Sequence, residues 1–306
     1  MEQDAITGVF FDLSTNVKLR VEGNDRLRFL NGQITADISK ATASNAIEAC
    51  LLDGKGRMSA HVFIFGSGDS FFIDADSGLK EALQARLERY VIADDVQIED
   101  VSDQLSIFHV MAQTAPAVPA VKWMLSARRF GQAGWDIWID GSERDKILAQ
   151  LSASFSFCDA DCLEIFRIER GIPRWGKELT SEIIPVEAGL DERCIDYEKG
   201  CYLGQEVISR MKMSGQRNKK LCGLASANEA SLSAGMRLFE ISKTDKDVGW
   251  ITSASRSRKL NREVALGFVK RGFNAPGTNL EARPPGNLGS GSVRVEVVDL
   301  PFAQLN

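Results

Sequence analysis

The segment Lys199-Gly200-Cys201-Tyr202-Leu203-Gly204-Gln205-Glu206 places one thiol beside a lysine and between two glycines, which leave room for a partner to approach. Val207, Ile208 and Met211 follow at helical spacing, so the pattern predicts that Cys201 lies at or just before a helix start. A helix N-terminus and a nearby ammonium group both favour the thiolate form of cysteine. The sequence therefore predicts a reactive thiol, and the alternative is a small buried cysteine in a glycine-rich turn.

Four other segments accompany this motif, at residues 21–33, 52–57, 167–174 and 184–191. Together with the cysteine motif, and in the same order, they resemble the YgfZ family, folate-binding proteins similar to the aminomethyltransferase of the glycine cleavage system. The family pattern K-G-C-(Y or F)-x-G-Q-E is matched at every position, and Arg210 is the basic residue that follows. An eight-residue motif accompanied by four other matching segments in the same order is a specific signal.

Strand-like and helix-like patterns alternate up to about residue 215, which predicts an α+β region with helices stacked on mixed sheets. Beyond Gly215, short strands recur at regular spacing and predict a small β-barrel or sandwich. The resemblance implies the same division. It implies that residues 1–215 form a GcvT-like folate-binding region of two interleaved α+β subdomains and that residues 216–306 form a C-terminal β-barrel. The predicted barrel strands are 221–225, 236–241, 248–253, 264–269 and 293–298.

The resemblance also implies a function. It indicates a factor that binds tetrahydrofolate, or another reduced folate, and supports the assembly or repair of iron–sulfur clusters, mainly of the 4Fe–4S type. The implied partners are iron–sulfur assembly proteins and client iron–sulfur enzymes, with Cys201 as the functional residue. One alternative is a folate-dependent one-carbon transferase, an aminomethyltransferase or demethylase, acting on a small amine. Another is a folate-binding interaction module whose cysteine only packs.

Glu169 is the main candidate for binding folate. When residues 160–171 are projected as a helix, Glu169 falls among apolar residues that include Ile165 and Phe166. A carboxylate on an apolar face needs a partner, so Glu169 pairs either with an internal basic group such as Arg174 or with the N–H donors of a ligand. The resemblance favours the ligand, because the acidic residue of the matching R-I-E-x-G segment binds the pterin ring in aminomethyltransferase-like proteins.

Other candidates for the folate site come from the resemblance. Asp76 falls where the family has a polar residue lining the pocket, and the alternative is that it caps the helix beginning near Ser77. Lys199, Gln205 and Arg210 are predicted to orient the thiol or the folate tail. For Arg210, a solvated helix face is the alternative.

The stretch Gly56-Arg57-Met58-Ser59-Ala60-His61 departs from the true aminomethyltransferases, which carry an acidic pair here. Neither Ser59 nor Ala60 can transfer a proton as an aspartate does. The sequence therefore predicts a folate pocket without aminomethyl transfer.

The net charge of −5 argues against charge-driven binding to nucleic acid. No apolar run approaches the ~18 residues of a membrane span, and the acidic N-terminus lacks signal-peptide features, so we expect a cytoplasmic protein, which we also take to be a monomer. The six cysteines contain no C-x2-C pair, and with two histidines they form a poor set of metal ligands. We expect free thiols, with Cys158 and Cys162 as packing residues.

Overall fold

The structure is a computed structural model that describes residues 8–228, 230–241, 246–285 and 291–302. The chain divides into two compact units. Unit 1 consists of residues 1–160 and 191–207, and unit 2 of residues 161–190 and 208–306. These units divide the chain differently from the boundary expected at residue 215, which stays a prediction. Within the described ranges, no helix is long and apolar enough to cross a membrane.

The helices and strands follow the α+β order expected from the sequence. The α-helices are α1 (Arg26–Gln33), α2 (Lys80–Glu88), α3 (Arg144–Ser154), α4 (Ala160–Arg170), α5 (Asp191–Cys194) and α6 (Gln205–Ser214). The strands before α4 are β1 (Val9–Asp12), β2 (Val17–Glu22), β3 (Ile47–Leu52), β4 (Met58–Ser67), β5 (Ser70–Ala75), β6 (Gln97–Asp100), β7 (Leu105–Met111), β8 (Trp123–Ala127), β9 (Gly134–Asp140) and β10 (Ser156–Phe157). The strands after α6 are β11 (Lys219–Ser226), β12 (Arg237–Glu240), β13 (Asp247–Ser257), β14 (Arg262–Lys270), β15 (Asn279–Arg283) and β16 (Val293–Val298).

Two five-stranded sheets form unit 1. The first has the strand order β3-β4-β5-β2-β6 and is antiparallel throughout. The second has the order β10-β1-β7-β9-β8 and is antiparallel except for the short β1–β10 pair. Because successive side chains of a strand point to opposite faces, each sheet buries one set of residues against the other elements of the unit.

Both sheets contribute to an aromatic core. Phe65 of β4 and Phe72 of β5 stack with ring centroids 5.1 Å apart. Trp138 of β9 meets the Phe65 ring edge-on at 5.0 Å, and Trp123 of β8 lies 4.5 Å from the Phe72 ring. Such offset and edge-on contacts add about 0.5–1.5 kcal/mol per pair to the burial of the rings. The rings therefore fix the first sheet against the second.

A buried arginine also joins the two sheets. Arg129 is 4% exposed, and its Nη2 donates to Asp74 Oδ1 of β5 at 2.6 Å. Its Nε donates to Asp136 Oδ1 of β9 at 2.9 Å, and His109 Nδ1 lies 2.7 Å from the same oxygen. The guanidinium carbon lies 4.0 Å from the centroid of the Phe63 ring. Every charge in this network has a partner of opposite sign, which is the condition for keeping charges in a core.

Unit 2 contains a closed barrel with the strand order β11-β14-β13-β12-β15-β16. The predicted barrel is therefore confirmed. Strand β15 is not among the predicted strands, because it lies between two breakers, Pro276-Gly277 and Pro284-Pro285-Gly286. The barrel interior is filled by aliphatic side chains such as Leu224, Leu238 and Leu280.

A second buried arginine fixes α4 in unit 2. Arg167 is 2% exposed, and its Nη1 donates to Glu178 Oε2 at 3.0 Å. Its Nη2 donates to Ser253 Oγ of β13 at 2.6 Å. Glu178 is fully buried, and its Oε1 accepts hydrogen bonds from Thr252 Oγ1 at 2.8 Å and Ser253 Oγ at 2.6 Å. These charge-assisted bonds hold α4 on strand β13.

Candidate functional site

The cysteine motif lies along residues 31–36 of unit 1. Thr35 Oγ1 donates to the carbonyl oxygen of Cys194 at 2.5 Å, and Asp196 N donates to the carbonyl oxygen of Thr35 at 3.0 Å. Leu203 N donates to the carbonyl oxygen of Gly32 at 3.1 Å. These hydrogen bonds hold both ends of the loop that carries Cys201, so the thiol is presented by a fixed main chain.

Lys199 anchors this loop through its ammonium group. Its Nζ donates to the carbonyl oxygens of Asn31, Ile34 and Ala36 at 2.7, 2.8 and 2.7 Å. Burial lowers the pKa of Lys199 to about 8, while the nearby charges of Asp37 and Asp196 act in the opposite direction. An ammonium group has three donors, and all three are bonded here. Lys199 therefore anchors the loop, and its predicted role in orienting the thiol or the folate tail stays a prediction.

The two glycines of the motif have different roles. Helix α6 begins at Gln205, so Cys201 precedes the helix by the turn 202–204. Gly204 has a φ of 85°, and an added Cβ would lie 2.7 Å from the Asp53 carbonyl oxygen. Among the described residues, nothing lies within 4 Å of a Cβ added at Gly200. Gly204 is therefore required by the turn, whereas Gly200 lies beside open space.

Cys201 is the exposed thiol among the described free cysteines. Cys50, Cys194 and Cys222 are 0%, 0% and 4% exposed. Cys158 and Cys162 are disulfide-bonded, so the prediction that all the cysteines are free is wrong. Thiol reactivity depends on access as well as on the thiolate fraction. Cys201 is therefore the free thiol that a reagent or a partner can reach.

Glu169 lies on α4 of unit 2 and is half-buried. Its Oε1 accepts a hydrogen bond from Ser257 Oγ of β13 at 2.5 Å. The apolar face projected from the sequence is not the buried one. Arg167 and Ile168 are the buried residues of α4, because the charged partners of Arg167 lie within unit 2. An ionised carboxylate offers about four acceptor positions, so Glu169 retains capacity for further N–H donors.

The remaining candidates do not all lie in one unit. Asp76 Oδ1 accepts a hydrogen bond from Gly78 N at 3.0 Å, which is the contact expected of a cap, and the place of Asp76 in the folate pocket stays a prediction. Gln205 is half-buried at the first position of α6, and Arg210 is exposed on the same helix. Glu169 and Arg210 belong to unit 2, and the other candidates belong to unit 1. Their assembly into one folate site stays a prediction.

Sequence reasoning missed a cluster of metal-ligand side chains in unit 1, made of Glu48, His61 and Cys194. His61 Nε2 lies 2.9 Å from Glu48 Oε1 and 3.8 Å from Cys194 Sγ. The three ligand atoms all lie within 4.8 Å of one another. The His61, Glu48 and Cys194 side chains are 16%, 6% and 0% exposed. Sequence spacing gave no signal, because strand pairing and the position of α5 bring these residues together.

Protonation in this cluster follows from burial and mutual contact. Burial raises the pKa of the Cys194 thiol well above its usual value, and Cys50 and Glu48 raise it further. Burial opposes ionisation of Glu48, but Arg193 and His61 lower its pKa on balance. Burial alone would lower the pKa of His61, but its contacts with Cys194 and Glu48 raise it to about 9. Both contacts therefore favour the protonated imidazole.

Comparison with known domains matches both ends of the chain. Residues 6–122 match the GCVT N-terminal domain. Residues 219–304 match the glycine cleavage T-protein C-terminal barrel domain. The second match covers the strands of the closed barrel.

Relatives fall into two groups. The aminomethyltransferase of Bacillus subtilis is 25% identical over 321 residues, which cover 95% of this chain and 86% of that protein. The tRNA-modifying protein YgfZ of Vibrio vulnificus is 28% identical over 241 residues, which cover 75% of this chain and 74% of that protein. The crystal structure of the glycine cleavage system aminomethyltransferase T from Bartonella henselae superposes with a TM-score of 0.81 at 18% identity, covering 98% of this chain and 87% of that one. This likeness confirms the fold.

Gly204→Ala is expected to reduce the free energy of unfolding by about 1–3 kcal/mol, because a side chain is strained at this φ and meets the Asp53 carbonyl. Urea-induced unfolding followed by circular dichroism measures the change. The matched control is Gly200→Ala, where the added methyl enters open space and the change should stay within about 0.5 kcal/mol. Equal stability of the two variants would contradict the role given to Gly204.

Proposed function

We propose, from the premise that this chain belongs to the GcvT-like folate-binding family with its N-terminal and C-terminal barrel domains, that it is a YgfZ-type factor. It binds tetrahydrofolate and supports the assembly or repair of iron–sulfur clusters, mainly 4Fe–4S, in client enzymes. The observation that carries the proposal is Cys201, an exposed free thiol on an anchored loop within the complete K-G-C-Y-x-G-Q-E motif. Relatives of the YgfZ group support the assignment.

The proposed role of Cys201 is to ligate an iron of a transferred cluster. Cluster irons are held by thiolates, commonly four per cluster. The other described free cysteines, Cys50, Cys194 and Cys222, are buried. A cluster reaching Cys201 therefore takes its remaining ligands from an iron–sulfur assembly protein or from the client enzyme. Because Cys201 is exposed, such a partner can reach the sulfur.

Glu169 fits the proposed pterin contact. A reduced pterin presents an amine and an adjacent ring N–H, and a carboxylate accepts two such donors side by side. The hydrogen bond from Ser257 Oγ fixes one carboxylate oxygen and leaves further acceptor positions. The bound folate would supply a one-carbon carrier or a stabilising ligand. The chain's own contribution is to bind and orient the pterin through Glu169.

The alternative function is a folate-dependent one-carbon transferase acting on a small amine. Aminomethyltransferases that align over 95% of this chain favour it. The sequence of β4 argues against it, because Ser59 and the fully buried Ala60 stand where the transferases carry carboxylates. A carboxylate is the group that moves the proton during amine transfer.

Glu169→Ala is expected to weaken tetrahydrofolate binding by about 5- to 150-fold, because unpaired pterin donors cost about 1–3 kcal/mol. Isothermal calorimetry measures the affinity. Glu182→Gln removes an exposed charge from the same unit and serves as the control with unchanged affinity. An unaltered dissociation constant in folded Glu169→Ala would remove Glu169 from the folate site.

The unmodified protein is expected to form no methylene-tetrahydrofolate from an aminomethyl donor at enzyme-like rates, since Ser59 and Ala60 cannot act as proton-transfer groups. The assay follows methylene-tetrahydrofolate by absorbance, with a true aminomethyltransferase as positive control. Turnover comparable to that control would favour the transferase over the iron–sulfur factor.

Alkylation at neutral pH is expected to modify Cys201 about tenfold or more faster than Cys50, Cys194 and Cys222, because those thiols are buried. Mass spectrometry of the folded protein gives the rates.

Cys201→Ser should keep the fold and folate affinity while maturation of 4Fe–4S client enzymes falls sharply. Glu198→Gln, exposed in the same loop, is the control expected to support maturation normally. Full client activity with Cys201→Ser would show that the thiol is dispensable.

A further inference from the structure

Three elements of unit 1 bring metal-ligand side chains to one face of the first sheet. Glu48 and Cys50 are two residues apart on β3, so they share a face. Cys50 is paired with His61 across the β3–β4 register, which places His61 on that face as well. Thr35 then ties α5 to β3, because its Oγ1 accepts from Cys50 N at 2.9 Å and donates to the Cys194 carbonyl at 2.5 Å. The cluster is therefore held by the main chain.

The three ligand atoms lie within 4.8 Å of one another, and their arrangement is not that of a catalytic relay. In a thiol–imidazole–carboxylate relay, the thiol and the carboxylate bind opposite nitrogens of the imidazole. Here Cys194 Sγ and Glu48 Oε1 both approach the same nitrogen, His61 Nε2. Cys194 is also fully buried, so its sulfur is out of reach of a substrate. Three ligand atoms close together, with a sulfur that no substrate can reach, are an arrangement that suits a bound metal ion.

The distances fit a tetrahedral metal. With Zn–S near 2.3 Å and Zn–N or Zn–O near 2.0–2.2 Å, ligand atoms of a tetrahedral zinc site lie about 3.3–3.6 Å apart. The observed Sγ···Nε2 distance is 3.8 Å and the Nε2···Oε1 distance is 2.9 Å. Changes of about half an ångström or less in these two distances, within the reach of small χ adjustments, would bring both to zinc values. The third distance, between Cys194 Sγ and a Glu48 carboxylate oxygen, is at most 4.8 Å, and metal binding would draw these two atoms closer together.

We propose that Glu48, His61 and Cys194 bind a single divalent cation of the zinc class, with a fourth position beside Cys50. Thiolate, imidazole and carboxylate together are a donor set that zinc accepts. On binding, the metal replaces the protons on Cys194 Sγ and His61 Nε2, and both protons pass to solvent. Glu48 Oε1 exchanges its contact with Arg193 Nη2, 3.4 Å away, for the metal. The Arg193 side chain is 24% exposed and can turn into water.

This site does not depend on the folate or iron–sulfur proposals, but its position links it to Cys201. Helix α5 leads directly into the loop that carries the exposed thiol. A metal bound to Cys194, Glu48 and His61 would clamp α5 to strands β3 and β4. Because a ligand that binds the folded state stabilises it, the bound metal should raise the thermal unfolding temperature.

The test uses the full chain, stripped with a chelator and then titrated with Zn²⁺ in a calorimeter and with Co²⁺ in an absorption spectrometer. We expect one ion per chain, and a Co²⁺ spectrum with tetrahedral bands and a thiolate charge-transfer band. Cys194→Ser and His61→Gln should weaken binding by about 10- to 100-fold or more. Cys222→Ser, a buried free cysteine outside the cluster, is the matched control with unchanged affinity.

X-ray absorption at the zinc edge is measured on the unmodified, zinc-loaded protein, so this test does not depend on whether a variant folds. A sulfur scatterer near 2.3 Å together with nitrogen or oxygen near 2.0 Å supports the proposal. Three results would overturn it. They are a first shell without sulfur, binding that is weak and non-stoichiometric, and binding that is lost in Cys201→Ser but kept in Cys194→Ser, which would place the metal at the exposed thiol.

Discussion

Unit 1 depends on the buried guanidinium of Arg129, which is shared between Asp74 of one sheet and Asp136 of the other. A cation in a core is tolerated only where geometry and hydrogen bonding offset its lost hydration. Here two carboxylates, each binding it through two oxygens, and the face of Phe63 provide that environment. Because both sheets must present an aspartate at this position, the network specifies their registers as well as their contact.

In unit 2, Arg167 is a buried arginine, as Arg129 is in unit 1. Its partner Glu178 is fully buried and is held in turn by hydroxyl groups of β13. This buried pair also sets the position of a candidate folate-binding residue. Glu169 follows Arg167 by two residues on α4, so the buried pair determines where Glu169 meets Ser257. A buried ion pair contributes little net stability, but removing either partner leaves an uncompensated charge, which is why such pairs fix geometry.

In the cysteine motif, some residues hold the loop in its conformation and others remain exposed to solvent. Lys199 and Gly204 belong to the motif, yet the ammonium binds three carbonyls and the glycine accommodates a tight turn against Asp53. Their contribution is to hold the loop in place. Cys201 and Gly200 are left facing open space, and this division of roles supports the assignment of Cys201 as the functional group.

The sequence alone determined the α+β class, the C-terminal barrel and the helix after the cysteine motif, because these depend on local periodicity and turn chemistry. It also singled out Cys201. The inward face of α4 could not be read from the pattern, because Arg167 is buried against Glu178 and Ser253, which lie outside the helix. The grouping of His61 with Cys194 was decided by tertiary structure alone, since strand register and the packing of α5 bring together residues separated by 133 positions.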